Sequence, residues 1–240
     1  MSAAPILRLR GVTKSFGKVD VLRGVDLDVD AGVRHLLIGP NGAGKTTLFN
    51  VVNGHFPPTA GSIEFNGNDI TRLPVSRRAR SGLGRTFQIA SLFPQLTVWE
   101  NLLIAAQAPG LLRKGSRAVG QDADTALEQS GLAGQRYALV GNLAYGQQRL
   151  LEIAMALATA PRMLLLDEPM AGLTQEERGA FADRVIELST RIAILLIEHD
   201  LEVALRIAER VTVLNLGAVV YDGKPADVLA APIVQQIYLG

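Results

Sequence analysis

Cysteine is absent from the 240 residues, which excludes disulfide scaffolds, thiolate metal sites and thiol nucleophiles. Histidine is scarce: three residues leave little room for an imidazole metal cage. Long apolar runs are missing too. Although 48% of the residues are hydrophobic, apolar runs such as Met163 to Leu166 and Ile192 to Ile197 fall far below the ~18 residues needed to span a bilayer. The start places Arg8 and Arg10 inside an alternating pattern and lacks the apolar core of a secretory signal, so a soluble, cytoplasmic chain is expected. Neither sign of charge is in excess. With 24 Lys plus Arg against 23 Asp plus Glu, the net charge of +1 makes no case for bulk nucleic-acid binding, and no nucleic-acid partner is expected. The length allows one large or two small domains.

What is present is organised around short strands. Ile6 to Val12 alternates, and Val25, Leu27 and Val29 oppose Asp26, Asp28 and Asp30, the pattern of antiparallel strands with one wet face. Ser62 to Phe65, closed by Asn66-Gly67, reads as another strand. His35 to Ile38 runs into Gly39 and then a helix pattern from Lys45 to Asn53, the order of a phosphate site. Val98 to Leu103, Asp122 to Gly131 with an Asp cap, and Gln147 to Thr159 read as helices, with a loop over Ala108 to Gly115. This helical stretch is an insertion. Met163 to Leu166, Ala193 to Ile197 and Val211 to Asn215 then read as buried parallel strands separated by helices over Glu176 to Ser189 and Leu201 to Glu209. Val219 to Gly223 returns as a hairpin arm, and Ala226 to Tyr238 forms a helical tail.

Gly39-Pro40-Asn41-Gly42-Ala43-Gly44-Lys45-Thr46 fits G-x-x-x-x-G-K-[ST]. Glycines let backbone N–H groups curl around phosphate oxygens, Lys45 supplies a point charge, and the Thr46 hydroxyl can ligate Mg²⁺. The next helix aims its positive end at the same place. Asp167 and Glu168 end a buried strand, where Asp167 would hold Mg²⁺ and Glu168 would accept the proton of an attacking water. An acidic helix cap would look similar, but not beside a phosphate loop. His199 follows another strand and can reach the same mouth of the sheet to touch a γ-phosphate. His35 and His55 lack such company and are expected to be structural or exposed.

These motifs together resemble the ATP-binding subunit of an ABC transporter over about Leu7 to Gly240. The order is that of the family: Phe16 at the adenine-stacking position, the Gly39 to Thr46 loop, Gln88 at the Q-loop, Leu143 to Gln147 at the signature, Asp167-Glu168, the Ala171 to Thr174 D-loop and His199. The resemblance implies a P-loop NTPase (RecA-like) α/β core with a small antiparallel β subdomain and an inserted α-helical subdomain. The whole of 1–240 is then one ATP-binding domain, with core and β subdomain over about 1–90 and 160–240 and the helical subdomain over about 91–159. It implies ATP and Mg²⁺ as cofactors. Phe16 would stack on adenine; Gly39 to Thr47 would hold phosphates; Thr46, Gln88 and Asp167 would organise Mg²⁺; and Lys45, Gln88, Glu168 and His199 would serve hydrolysis. Ala144, Gly146 and Gln147 would close over ATP held by another subunit.

The resemblance also implies partners: multispanning membrane permeases, a second ATP-binding subunit forming a heterodimer or homodimer, and indirectly a periplasmic solute-binding protein. The chain would sit peripherally on the cytoplasmic face of the inner membrane. Two departures stand out. Ala144 replaces the usual signature serine, and Ala171-Gly172-Leu173-Thr174 replaces the common Ser-Ala-Leu-Asp, removing an acidic group from the subunit interface. Both variants, with Gly84 to Gln88, Leu92 to Leu102, Leu143 to Arg149 and Ile237 to Gly240, resemble the LivG-like branch serving importers of branched-chain and other hydrophobic amino acids. Asn101 to Gly131 is short for that branch; urea or aromatic-acid import and lipopolysaccharide export are the alternatives, with a non-transport ATPase on nucleic acid further off. Arg72, Arg77, Arg78, Arg80 and Arg85 read as a solvated helix face or as a contact for the membrane subunit or anionic lipid head groups.

Overall fold

The computed structural model describes residues 4–86, 92–107, 116–188 and 192–239. Leu7–Phe16 (β1) and Val19–Val29 (β2) pair antiparallel, as their alternation predicts. Val25, Leu27 and Val29 are buried while Asp26 faces water. Ala60–Phe65 (β4) and Asn68–Asp69 (β5) complete a four-stranded sheet in the order β2-β1-β4-β5.

A second sheet carries the site. Arg34–Ile38 (β3), Leu83–Arg85 (β6), Met163–Asp167 (β7), Ala193–Ile197 (β8), Arg210–Asn215 (β9) and Ala218–Gly223 (β10) run in the order β10-β9-β3-β8-β7-β6. The expected parallel strands are parallel, and β10 is the expected antiparallel return. Period two sorts the apolar residues of each strand to two faces. Leu36 and Ile38 join a core with the helices Val98–Ala106 (α3), Tyr145–Ala158 (α5) and Gln175–Leu188 (α6). Leu37 joins a second core, where Lys45–Asn53 (α1) lies between the two sheets with Leu48, Phe49, Val51 and Val52 fully buried. Each such side chain contributes roughly 1.5–3 kcal/mol by leaving water.

Several elements differ from expectation. The helix expected from Asp122 begins earlier, at Ser116–Gln129 (α4), so Asp122 lies inside it and cannot cap it. The tail is two helices, Pro225–Val228 (α8) and Pro232–Leu239 (α9), following Leu201–Ile207 (α7), because Pro232 cannot continue a helix begun before it. A short helix, Val75–Arg80 (α2), and β6 carry four of the five clustered arginines, Arg72 lying in the turn before α2, and the cluster is not one face. Arg72, Arg77 and Arg80 are exposed. Arg78 is buried and donates to the carbonyls of Val51 at 2.8 Å and Val52 at 2.6 Å, near the end of α1, and to those of Leu73 and Thr71. Arg85 is largely buried at the sheet edge. The loop expected over Ala108 to Gly115 lies outside the described residues.

Candidate active site

Parallel strands end at one edge of their sheet, and the polar residues after β3, β7 and β8 meet there. Gly39 leaves β3 where a β-carbon would stand 2.1 Å from the Leu214 carbonyl oxygen, so only glycine fits. Gly42 at φ 80° takes the left-handed turn that lets the loop close on itself. The Lys45 ammonium lies within that curl, donating to the carbonyls of Gly39 at 2.7 Å and Pro40 at 3.1 Å. Burial holds its pKa below the ordinary lysine value, opposed by Glu168 and Asp167. Asn41–Thr47 line a cleft of about 230 Å³ with Val21, Glu168 and His199. Thr46 is exposed in it.

Glu168 follows β7 with a backbone φ of 49°, unusual for a residue with a side chain, and its N–H is held by the Ile197 carbonyl at 2.9 Å. That conformation swings its carboxylate towards His199, whose Nε2 is 2.8 Å from Glu168 Oε1. Asp167 is placed differently. Its side chain is wholly buried behind the cleft, with Oδ2 3.3 Å from Arg85 Nη2 and Oδ1 without a hydrogen-bond partner among the described residues. Burial raises its pKa, and Arg85 pulls the other way.

A buried anionic oxygen without a partner fits a cation at that point. Among the described residues no three His, Asp or Glu side chains cluster to cage a metal. An ion taken by Asp167 and Thr46 therefore needs further oxygens, as hard cations shared with phosphates do. Gln88, expected beside them, lies outside the described residues.

Phe16 lies at the tip of the β1–β2 hairpin, 43% exposed and edge-on to Phe56 with ring centroids 5.4 Å apart. It does not line the cleft; the strand it turns into brings Val21 there. Ala144, Gly146 and Gln147 also lie away from the cleft of their own chain, at the start of α5. Ala144 has cap geometry and its N–H donates to Gln147 Oε1 at 3.1 Å, but its side chain returns no bond to the helix. The signature packs on the D-loop instead: Tyr145 Oη donates to the Ala171 carbonyl at 3.2 Å, and a β-carbon on Gly172 would stand 3.0 Å from the Tyr145 ring. Thr174 is more than a lost acid, since its hydroxyl accepts from Glu177 N at 3.3 Å and caps α6. Sequence reasoning missed Glu198, whose buried carboxylate accepts the Met170 N–H at 2.9 Å and so fixes the chain just after Glu168. Burial raises its pKa. His35 is buried and His55 exposed, as expected.

Residues 22–171 match the family model described as ABC transporter. The high-affinity branched-chain amino acid transport ATP-binding protein BraF of Pseudomonas aeruginosa is 40% identical over 250 residues, covering 98% of each chain. The protein of the same description named LivG, from Escherichia coli, is 39% identical with the same coverage. A solved ATP-binding cassette of an ABC transporter in its ADP conformation superposes with a TM-score of 0.90 at 34% identity, covering 99% of this chain and 100% of its own. The expected fold class, a P-loop α/β core, agrees with these likenesses.

Proposed function

Because the chain belongs to the ABC transporter family, as an ATP-binding cassette that hydrolyses ATP, we propose that it powers import of branched-chain or other hydrophobic amino acids. The likeness to BraF and LivG along 98% of each chain carries this reading. No described helix is long and apolar enough to cross a membrane. In this reading the chain docks as a peripheral subunit on the cytoplasmic side of multispanning permeases, beside a second, similar ATPase, with a periplasmic solute-binding protein delivering the solute.

The chemistry assigned to the site follows from its residues. The amides of Gly42 to Thr47 hold the phosphates, and the Lys45 ammonium exchanges its loop carbonyls for phosphate oxygens. Phe16 stacks on adenine from the hairpin tip. Thr46, Asp167 and Gln88 hold Mg²⁺, which supplies positive charge against the phosphate oxygens. Glu168 takes the proton of the attacking water, and His199 orients that carboxylate while reaching the γ-phosphate. Ala144, Gly146 and Gln147 of one subunit cover the ATP of the other. We divide the single domain as its elements run: core and β subdomain over about 1–90 and 160–240, and helical subdomain over about 91–159.

Affinity purification of the tagged chain from detergent-solubilised native membranes, with mass spectrometry of what accompanies it, tests this function. Multispanning permeases and a second ATPase, encoded with a solute-binding protein for hydrophobic amino acids, are the expected result. Lipid-export membrane subunits, permeases for urea or aromatic acids, or nucleic-acid partners would overturn the reading of hydrophobic amino-acid import and leave the ATPase intact.

A further inference from the structure

Arg85 is the residue whose surroundings the site leaves unexplained. It ends β6, the last strand of the six-stranded sheet, and is paired there with Leu165 of β7. Its side chain is only 10% exposed. The guanidinium spans two elements of the ATP site: Nη1 donates to Asn50 Oδ1 on α1 at 2.8 Å, and Nη2 reaches Asp167 Oδ2 at 3.3 Å. α1 begins with Lys45, so the bridge ties the helix of the phosphate loop to the carboxylate at the end of β7. Among the described residues, Asp167 therefore has one oxygen held and the other, Oδ1, buried without a hydrogen-bond partner.

A guanidinium that merely neutralised a buried acid would best engage both of its oxygens in a fork. Here Nη2 takes one oxygen and Nη1 is spent on Asn50, while among the described residues Arg85 Nε and Asp167 Oδ1 are both left without a partner, so the fork is turned away from closing on both carboxylate oxygens. We propose that Arg85 is a positioning residue, which fixes the Asp167 carboxylate so that Oδ1 meets the divalent cation. This rests on the assignment of Asp167 as a metal ligand. The geometry needs a planar fork: a lysine ammonium is a point charge and does not hold Asn50 and Asp167 at once in the same plane. Outer partners of ligating carboxylates act through such orientation, and losing one typically weakens metal binding by about tenfold or more.

The test is Mn²⁺ binding to the full chain saturated with ADP, followed by the loss of the free-ion electron paramagnetic resonance signal. ADP binding in EDTA is measured beside it. Arg85→Gln is expected to weaken Mn²⁺ about tenfold, leaving metal-free ADP affinity within about twofold. Arg85→Lys, which keeps the charge and decides the matter where Arg85→Gln does not fold, is expected to weaken Mn²⁺ at least about threefold. Mn²⁺ affinity unchanged or tighter in folded variants overturns the proposal, an increase meaning that the guanidinium competes with the ion. Asp167→Asn separates the two readings. If it loses Mn²⁺ while the Arg85 variants do not, only the positioning role falls; if it binds Mn²⁺ like the wild type, the metal assignment falls and the positioning role with it.

Discussion

His199 Nε2 lies 2.8 Å from Glu168 Oε1, joining the imidazole that follows β8 to the carboxylate that follows β7. An ionised carboxylate only accepts, so the imidazole donates from Nε2. This pair leads to the first prediction. Glu168→Gln keeps the shape but cannot take a proton, and general-base removal typically costs ~10²–10⁴-fold in turnover. Steady-state hydrolysis in the reconstituted transporter should fall by at least about 10²-fold, with ATP affinity by equilibrium binding within about twofold. Equal rates for the variant and the wild type would remove Glu168 from the chemistry.

Ala144 offers a gain of stability. It stands at the cap of α5 with Gln147 already bonded back to its N–H, half of a reciprocal pair. Ala144→Ser supplies the missing acceptor and should stabilise the chain by about 1 kcal/mol in urea unfolding. A destabilised variant would show that the hydroxyl has no room there.

Gly172 is under the opposite constraint. At φ 81° and with the Tyr145 ring 3.0 Å from where a β-carbon would stand, Gly172→Ala strains the backbone and pushes on the signature. About 1–2 kcal/mol of stability should be lost, and hydrolysis should drop while ATP binding to the isolated subunit holds. A silent variant would mean that the signature and D-loop are not packed as one.

Acid should expose His35. Its ring is fully buried, its Nε2 is 2.7 Å from Thr212 Oγ1, and burial pushes its pKa down to about 4, against the pull of Asp222. The folded state refuses a proton that the unfolded chain accepts below pH ~6.5, so this contribution is unfavourable to folding as pH falls from about 6.5 to 4. Between pH 7.5 and 5 it amounts to about 2 kcal/mol. Glu198 and Asp167, whose pKa values are raised, act with the opposite sign, so the comparison is between wild type and His35→Gln. The wild type should lose more stability on acidification than the variant. Parallel pH profiles would contradict the buried neutral imidazole.

Much of this architecture could be read from local pattern. β8 over Ala193–Ile197 and α1 over Lys45–Asn53 fall where an apolar run and a glycine loop place them, because those signals are contained in the segment itself. β6 could not be read this way: its three residues show no alternation, and it exists because β7 offers an edge. The arginines are the clearest case. Nothing in Arg72 to Arg85 distinguishes the guanidinium that holds the carbonyls of Val51 and Val52 from those left in water, since its partners lie 26 and 27 residues away. Asp167 and Glu168 were legible as a pair, but not that one lines the cleft and the other lies behind it on Arg85.

The most direct measurement of the whole account is uptake of labelled leucine by cells lacking this chain. High-affinity uptake should be lost, restored by the wild-type chain and not by Glu168→Gln. Uptake unchanged by the deletion, or restored equally by both, would contradict an ATPase that drives hydrophobic amino-acid import.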